Sequence, residues 1–265
     1  MFKNVLVKNA SLKDWGVPVY PYFIVAGPCS AESRVQVLSI AKALQGSNLS
    51  FMRAGAWKPR TLPGFFEGAG EVALDWLSEA RSIYKLEVGT EVGLPKHVEA
   101  CLSRNIKIVW IGARTTQSPF AVQEIANSMK GTDMKVLVKN PLCPDVKLWI
   151  GAIERLSGAG ITKIMAVHRG FCTTRKSQYR YPPIWRLAKE LRDSMPDLPV
   201  ICDPSHICGN FKTVENIARE ALKRSYNGLM IEVHECSEKA MSDGSQQLTP
   251  AVFHSMMKKL IKEPR

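Results

Sequence analysis

KIMAVHRGFCTTRKSQYRYPPIWRLAKELRDSMPDLPVICDPSH, residues 163–206, decides the fold. Two β-rich runs, 163–170 and 200–206, enclose a helix-like stretch at 183–193. A strand, a helix and another strand in that order make a parallel pair, because the helix is the crossover that returns the chain to the start of the next strand. Both runs also end on charged or polar residues, His168-Arg169-Gly170 and Asp203-Pro204-Ser205-His206.

The same unit repeats in both directions. Strands are predicted at 22–29, 51–57, 87–92, 106–113, 135–140 and 228–234. Helices are predicted from Val35 through Leu38, Ala41, Ala43 and Leu44 to the stop at Gly46, and over 71–84, 94–104, 119–129, 145–156, 214–224 and 250–261. Eight strand–helix units in 265 residues read as a closed α/β fold, the (β/α)8 TIM barrel. A doubly wound open sheet is the alternative, but no G-x-G-x-x-G follows the first strand, where its dinucleotide fingerprint belongs. No change of composition marks a second domain, so residues 21–265 are expected to form one catalytic barrel. Residues 1–20 form an N-terminal extension, expected as a strand or hairpin across the barrel bottom or at a subunit contact.

Hydrophobic residues make up 45% of the chain and charged residues 23%, which excludes a disordered or low-complexity protein. No apolar run approaches the ~18 residues a membrane span needs. The first residues, MFKNVLVKNASLKDWG, lack a signal-peptide cleavage pattern, so a cytoplasmic protein is expected. Seven cysteines without a C-x-x-C pair indicate reduced thiols rather than a disulfide framework or a zinc ribbon.

Lys and Arg number 36 against 24 Asp and Glu, a net charge of +12. Such an excess suits a nucleic-acid surface or a cleft for small anions. In a barrel, chemistry sits where strands end. Arg53, Lys58, Arg60, Arg114, Lys139 and Arg169 all follow strands at corresponding positions and are expected to converge on one funnel. Six cations without matching acids call for a ligand carrying more than one anionic group. No RNP, KH, helix-turn-helix or zinc-finger pattern supports the nucleic-acid reading, and aromatic residues are not interleaved with the basic clusters.

A second set, Cys29, His206, Glu232 and Asp243, falls at the ends of the first, seventh and eighth strands and in the final loop. Barrel closure makes the first and eighth strands neighbours. Thiolate, imidazole and carboxylates suit a divalent metal ion such as Mn, Fe, Co or Zn. Spacing alone leaves the plainer readings open: Cys29 as a small buried hydrophobe and His206 as the end of a turn. His234 shares the strand face of Glu232, His168 reads equally as a core residue, and the basic stretch 173–180 reads as a lid or an ordinary exposed loop.

AGPCS (26–30), RAGAWKPRT (53–61), GAR (112–114), VLVK (136–139), HRG (168–170), DPSH (203–206), EVH (232–234) and SDGSQ (242–246) are collinear motifs. Together they resemble the type I 3-deoxy-D-arabino-heptulosonate 7-phosphate (DAHP) synthases, over about residues 23–248. The resemblance implies condensation of phosphoenolpyruvate with erythrose 4-phosphate and release of phosphate, the first step of the shikimate pathway. It implies that Arg53, Lys58, Arg114, Lys139 and Arg169 hold phosphoenolpyruvate, and that Arg60 and Thr61 hold the second phosphate. It places the metal ion on Cys29, His206, Glu232 and Asp243. Lys58 and His206 are the expected catalytic residues, with Lys58 handling protons near the metal. A homo-oligomer is expected.

KDO-phosphate synthases share the barrel and the chemistry but take arabinose 5-phosphate. They carry KANRSS-type residues where this chain has KPRT, and GPN replaces GPC in their metal-independent forms. The KNP at 139–141 departs from the KRG or KNG of many DAHP relatives. Many relatives also carry a ferredoxin-like regulatory module or a chorismate mutase domain. Here only some twenty residues precede the first strand and the last helix ends at the terminus, which leaves three expectations: an enzyme without feedback inhibition, a partner that supplies it, such as a chorismate mutase, or the catalytic part of a larger fusion that carries that domain.

Overall fold

The computed structural model describes residues 9–19, 21–60 and 62–262. Eight parallel strands close into a barrel in sequence order. They are β1 (Phe23–Gly27), β2 (Phe51–Arg53), β3 (Val88–Val92), β4 (Ile108–Ile111), β5 (Lys135–Lys139), β6 (Lys163–His168), β7 (Val200–Cys202) and β8 (Gly228–Glu232). Closure is made by β8 on β1, where Gly27 pairs with Glu232. That register is why residues some two hundred positions apart meet at one rim.

The outer layer is α1 (Arg34–Leu44), α2 (Val72–Tyr84), α3 (Pro95–Ser103), α5 (Pro119–Ser128), α6 (Val146–Gly158), α7 (Trp185–Ser194), α9 (Val214–Lys223) and α10 (Pro250–Lys262). Two short helices follow strands directly: α4 (Ala113–Thr116) and α8 (Pro204–Cys208). Side chains mark several starts. Ser33 Oγ accepts from Gln36 N at 3.1 Å, Ser118 Oγ from Ala121 N at 3.3 Å, and Asp145 Oδ1 from Lys147 N at 2.8 Å. Each such cap contributes about 0.5–2 kcal/mol by satisfying a donor the helix leaves unpaired.

Alternation along the strands sorts the core into two parts. Phe23, Val25, Phe51, Ile108, Trp110, Leu137, Met165, Val167, Ile201 and Met230 fill the barrel interior. Their neighbours, such as Ile24, Met52, Val136, Ala166 and Ile231, pack against the helices. The strands are shorter at their C-terminal ends than the apolar runs suggest. The runs 51–57 and 200–206 leave the sheet after Arg53 and Cys202, and the second becomes α8 because Asp203 caps a helix that opens on Pro204.

Residues 1–8 and 20 of the extension lie outside the described residues, and among residues 9–19 there is no strand. The described part makes a 3-10 turn at Leu12–Trp15, ended by Gly16 in the left-handed region. Trp15 is buried and meets Phe23 edge-on at 5.6 Å, so an indole plugs the bottom of the barrel. Asn9 Oδ1 accepts from Ile164 N at 2.9 Å, and Ala10 N donates to Thr162 O at 2.7 Å, tying the segment to the start of β6. No described helix is long and apolar enough to cross a membrane. All seven cysteines are unpaired.

Candidate active site

Residues two apart on a strand share a face, so the interior column continues upward from apolar to charged. Arg53 stands above Phe51, Lys139 above Leu137, Asp203 above Ile201 and Glu232 above Met230. All four upper residues are buried. Burial of ions demands partners. Lys139 Nζ lies 2.9 Å from Asp203 Oδ2, and Arg53 Nη2 lies 3.2 Å from Glu232 Oε1. Asp203 also caps α8, its Oδ1 accepting from His206 N at 3.0 Å, and its Oδ2 lies 2.7 Å from His206 Nδ1. His206 Nε2 then reaches 3.6 Å from Glu232 Oε1. Burial alone raises carboxyl pKa values, but His206 and Lys139 hold Asp203 well below its usual range, and His206 and Arg53 lower Glu232. Burial keeps the His206 imidazole below its ordinary pKa and hence neutral, the form that binds a metal.

Cys29 enters from the turn after β1. Gly27 there has φ +144°, and a Cβ on it would stand 2.1 Å from Arg53 O, so only glycine admits the close approach of β1 and β2. Arg53 supports this turn from below, donating to Pro28 O at 3.3 Å and Cys29 O at 3.2 Å. The Cys29 sulfur lies 3.3 Å from Asp243 Oδ2 and 2.8 Å from Lys58 Nζ. Burial, then the charge of Glu232, pushes its pKa up to about 12. Burial opposes the charge on Lys58, but the sulfur and the carboxylates of Glu232 and Asp243 outweigh it and keep the amine protonated. Against its own burial, Asp243 is held well below the usual carboxyl range, first by Lys58, then by His206 and Arg180.

Above these groups opens a cavity of about 270 Å³. Lys58, Arg60, Arg114, Lys139, Arg169 and Arg180 line it, together with Glu91, Tyr181, His206 and Asp243. Five of the six expected cations therefore converge. The sixth, Arg53, lies beneath the floor, with Nη1 buried and without a hydrogen-bond partner among the described residues. Its guanidinium sits 4.9 Å from the centroid of Trp110. Thr61 falls outside the described residues.

Other residues belong to this site. Arg180 pairs with Asp243 at 2.8 Å, and Arg169 lies 3.7 Å over the ring of Tyr181. Asp203 links Lys139 to His206, and Glu91 accepts from Trp110 Nε1 at 2.8 Å. Asp203 carried a sequence signal, the Asp-Pro of a helix start. Arg180 carried only the basic character of its stretch.

The metal expectation meets a mixed result. Among the described residues no three His, Cys, Asp or Glu side chains gather closely enough to hold an ion. The four named donors stand instead as two pairs, Cys29 with Asp243 and His206 with Glu232. Two observations nonetheless fit a divalent cation. Glu232 Oε1 is buried and, beyond its ion pair with Arg53, accepts no hydrogen bond among the described residues. A positive group, the Lys58 ammonium, already stands against both Cys29 and Asp243, 2.8 Å from the sulfur and 3.6 Å from the carboxylate.

A barrel whose cation-lined mouth adjoins a buried thiol, imidazole and carboxylates offers a site suited to anionic ligands. Comparison with known proteins narrows the class. The DAHP synthetase I family matches residues 20–263, and the chain belongs to it. A phospho-2-dehydro-3-deoxyheptonate aldolase of Thermotoga maritima is 34% identical over 246 residues, 91% of this chain and 70% of that protein. A 2-dehydro-3-deoxyphosphooctonate aldolase of Desulfatibacillum aliphaticivorans is 27% identical, covering 91% of each. A crystal structure of the Thermotoga maritima DAHP synthase superposes with a TM-score of 0.82 at 31% identity, over 91% of this chain and 68% of that one. A truncated form of the synthase from that organism gives 0.79 at 28% identity, over 91% and 86%.

Proposed function

We propose that the chain is a 3-deoxy-7-phosphoheptulonate synthase. C3 of phosphoenolpyruvate bonds to the aldehyde carbon of erythrose 4-phosphate, water adds at C2, and the C2–O bond to phosphate breaks to release inorganic phosphate. The supporting observation is the gathering of Lys58, Arg60, Arg114, Lys139, Arg169 and Arg180 round one cavity; among the described residues its wall adds Glu91 and Asp243 as acids, and Asp203 beneath it pairs with Lys139, so positive charge is in excess. Two phosphates and a carboxylate supply the missing negative charge.

In this reading Arg114, Lys139 and Arg169, with Arg53 below, hold phosphoenolpyruvate, and Arg60 with Thr61 holds the phosphate of the aldehyde. Holding both anions in one cleft removes much of the entropic cost of bringing them together. Lys58, kept protonated, donates its proton to the aldehyde oxygen as the carbon–carbon bond forms. Asp203 orients His206 from one side and Lys139 from the other. Cys29, His206, Glu232 and Asp243 would hold Mn, Fe, Co or Zn. Such an ion, when bound, polarises the aldehyde carbonyl as a Lewis acid. The unpaired thiols support a reducing, cytoplasmic setting.

The test is phosphate release by the chelator-stripped chain resupplied with single divalent ions. Phosphoenolpyruvate with erythrose 4-phosphate should turn over at least about tenfold faster than with arabinose 5-phosphate, a difference of about 1.4 kcal/mol. Preference for arabinose 5-phosphate would move the chain to the phosphooctonate chemistry. Release with neither sugar would reject the synthase.

A further inference from the structure

The stretch between β6 and α7 contributes two residues to the cavity, Arg180 and Tyr181, that the resemblance leaves without a role. Its backbone is fastened at several points. Arg180 N donates to Cys208 O at 3.4 Å, Tyr181 N to Ile207 O at 3.1 Å, and Phe171 N to Pro182 O at 3.0 Å. Pro183 O lies 2.6 Å from His168 Nε2. A Cβ on Gly209 would meet Arg180 Cβ at 2.6 Å, so the glycine makes room for this strap to lie down. The root of Arg180 is thus anchored while its side chain remains 43% exposed.

Only one end of that guanidinium is occupied. Nη1 donates to Asp243 Oδ1 at 2.8 Å and to Gln246 Oε1 at 3.0 Å, while Nε and Nη2 make no hydrogen bond among the described residues. Asp243 is also a candidate metal ligand, and a carboxylate that turns to a divalent ion frees its former guanidinium partner to take another anion. Position suggests which anion. Arg60 Nη2 donates to Met241 O at 3.4 Å, so Arg60 and Arg180 grip the same 241–243 segment. The Tyr181 ring packs against both Arg169, at 3.7 Å, and Arg180, at 5.5 Å, and so spaces Arg180 from the cations assigned to phosphoenolpyruvate.

We infer that Arg180 is a further substrate-binding residue, whose guanidinium takes the phosphate of the four-carbon aldehyde beside Arg60 when Asp243 engages the metal ion. This rests on the synthase reading above. A guanidinium offers phosphate two parallel charge-assisted hydrogen bonds, which a lysine cannot reproduce and a glutamine replaces without charge.

The experiment uses the full chain loaded with Mn²⁺, as wild type, Arg180→Gln and Arg180→Lys, with circular dichroism to establish folding. Steady-state kinetics give KM for each substrate. Calorimetry with erythritol 4-phosphate, which has no aldehyde to react, gives binding without turnover in the presence of phosphoenolpyruvate. Arg180→Gln should raise KM for erythrose 4-phosphate by about tenfold or more and weaken erythritol 4-phosphate equally. KM for phosphoenolpyruvate should stay within about twofold and Mn²⁺ affinity should not fall, since a competitor for Asp243 has gone; Arg180→Lys should recover part of the loss. Unchanged KM and unchanged analogue binding would overturn the inference, as would equal losses for both substrates and Mn²⁺, the mark of a structural role. A wild type that releases no phosphate refutes the synthase reading; a working wild type with an indifferent Arg180→Gln refutes only the role of Arg180.

Discussion

Replacing His168 with Gln should flatten the acid side of the stability curve. The His168 ring is fully buried, with Nδ1 2.8 Å from the Tyr226 hydroxyl and Nε2 2.6 Å from Pro183 O. A carbonyl only accepts, so Nε2 carries the ring proton and Tyr226 donates to Nδ1. A second proton would displace the tyrosine donor inside a wall formed by Trp149, Phe171 and Trp185. Burial accordingly lowers the pKa from 6.5 to about 4. As pH falls below 6.5 the unfolded chain binds a proton that the native ring refuses, so stability drops until the native pKa is reached. Between pH 7 and pH 5 these two values give a loss of about 2 kcal/mol from this one group. Gln keeps an N–H for Pro183 O but has nothing to titrate. Urea unfolding of both proteins at pH 7 and pH 5 should show the wild type losing about 2 kcal/mol more than the variant over that interval. Equal losses, or an imidazole that titrates near its ordinary value by NMR, would mean that the native fold does not exclude the second proton from His168.

Lys58→Met should keep the fold and lower turnover by about 100-fold or more, checked by phosphate release; near-normal turnover would remove Lys58 as the proton donor. Cys29→Ala should abolish the rate restored by added metal ions while leaving the melting temperature of the metal-free chain nearly unchanged. Arg169→Lys should raise KM for phosphoenolpyruvate about tenfold, because an ammonium loses both the fork geometry and the stacking on Tyr181. Trp15→Ala should cost about 3–5 kcal/mol in denaturant unfolding by opening a cavity under Phe23, with both KM values unaltered.

The eight units were legible because their signals are local: a few apolar residues at strand or helix spacing suffice. The converging rim was legible for a related reason, since Lys139 and Glu232 each sit two positions beyond an inward apolar residue. The sheet ends before the predicted runs do: after β2 the apolar Ala54, Ala56 and Trp57 continue past the last sheet partner, and after β7 the run passes into the polar Asp203-Pro204-Ser205-His206. At β7 the Asp203-Pro204 pair held the correction, as an N-cap followed by the residue best suited to the first helical position. That Trp15 fills the barrel floor is not legible in the sequence, because only packing places the indole under Phe23. Arg180 lay beyond sequence reading: its strap has no periodicity, and its partner Asp243 lies 63 positions away.

Thiol, imidazole, carboxylates and cations meet at one mouth, and diffraction from crystals soaked with Mn²⁺ and phosphoenolpyruvate would show what that mouth binds. An anomalous peak shared by Cys29, His206, Glu232 and Asp243 at about 2.0–2.4 Å is expected, with phosphoenolpyruvate against Arg114, Lys139 and Arg169. An ion bound elsewhere, or phosphoenolpyruvate outside that mouth, would contradict that assignment.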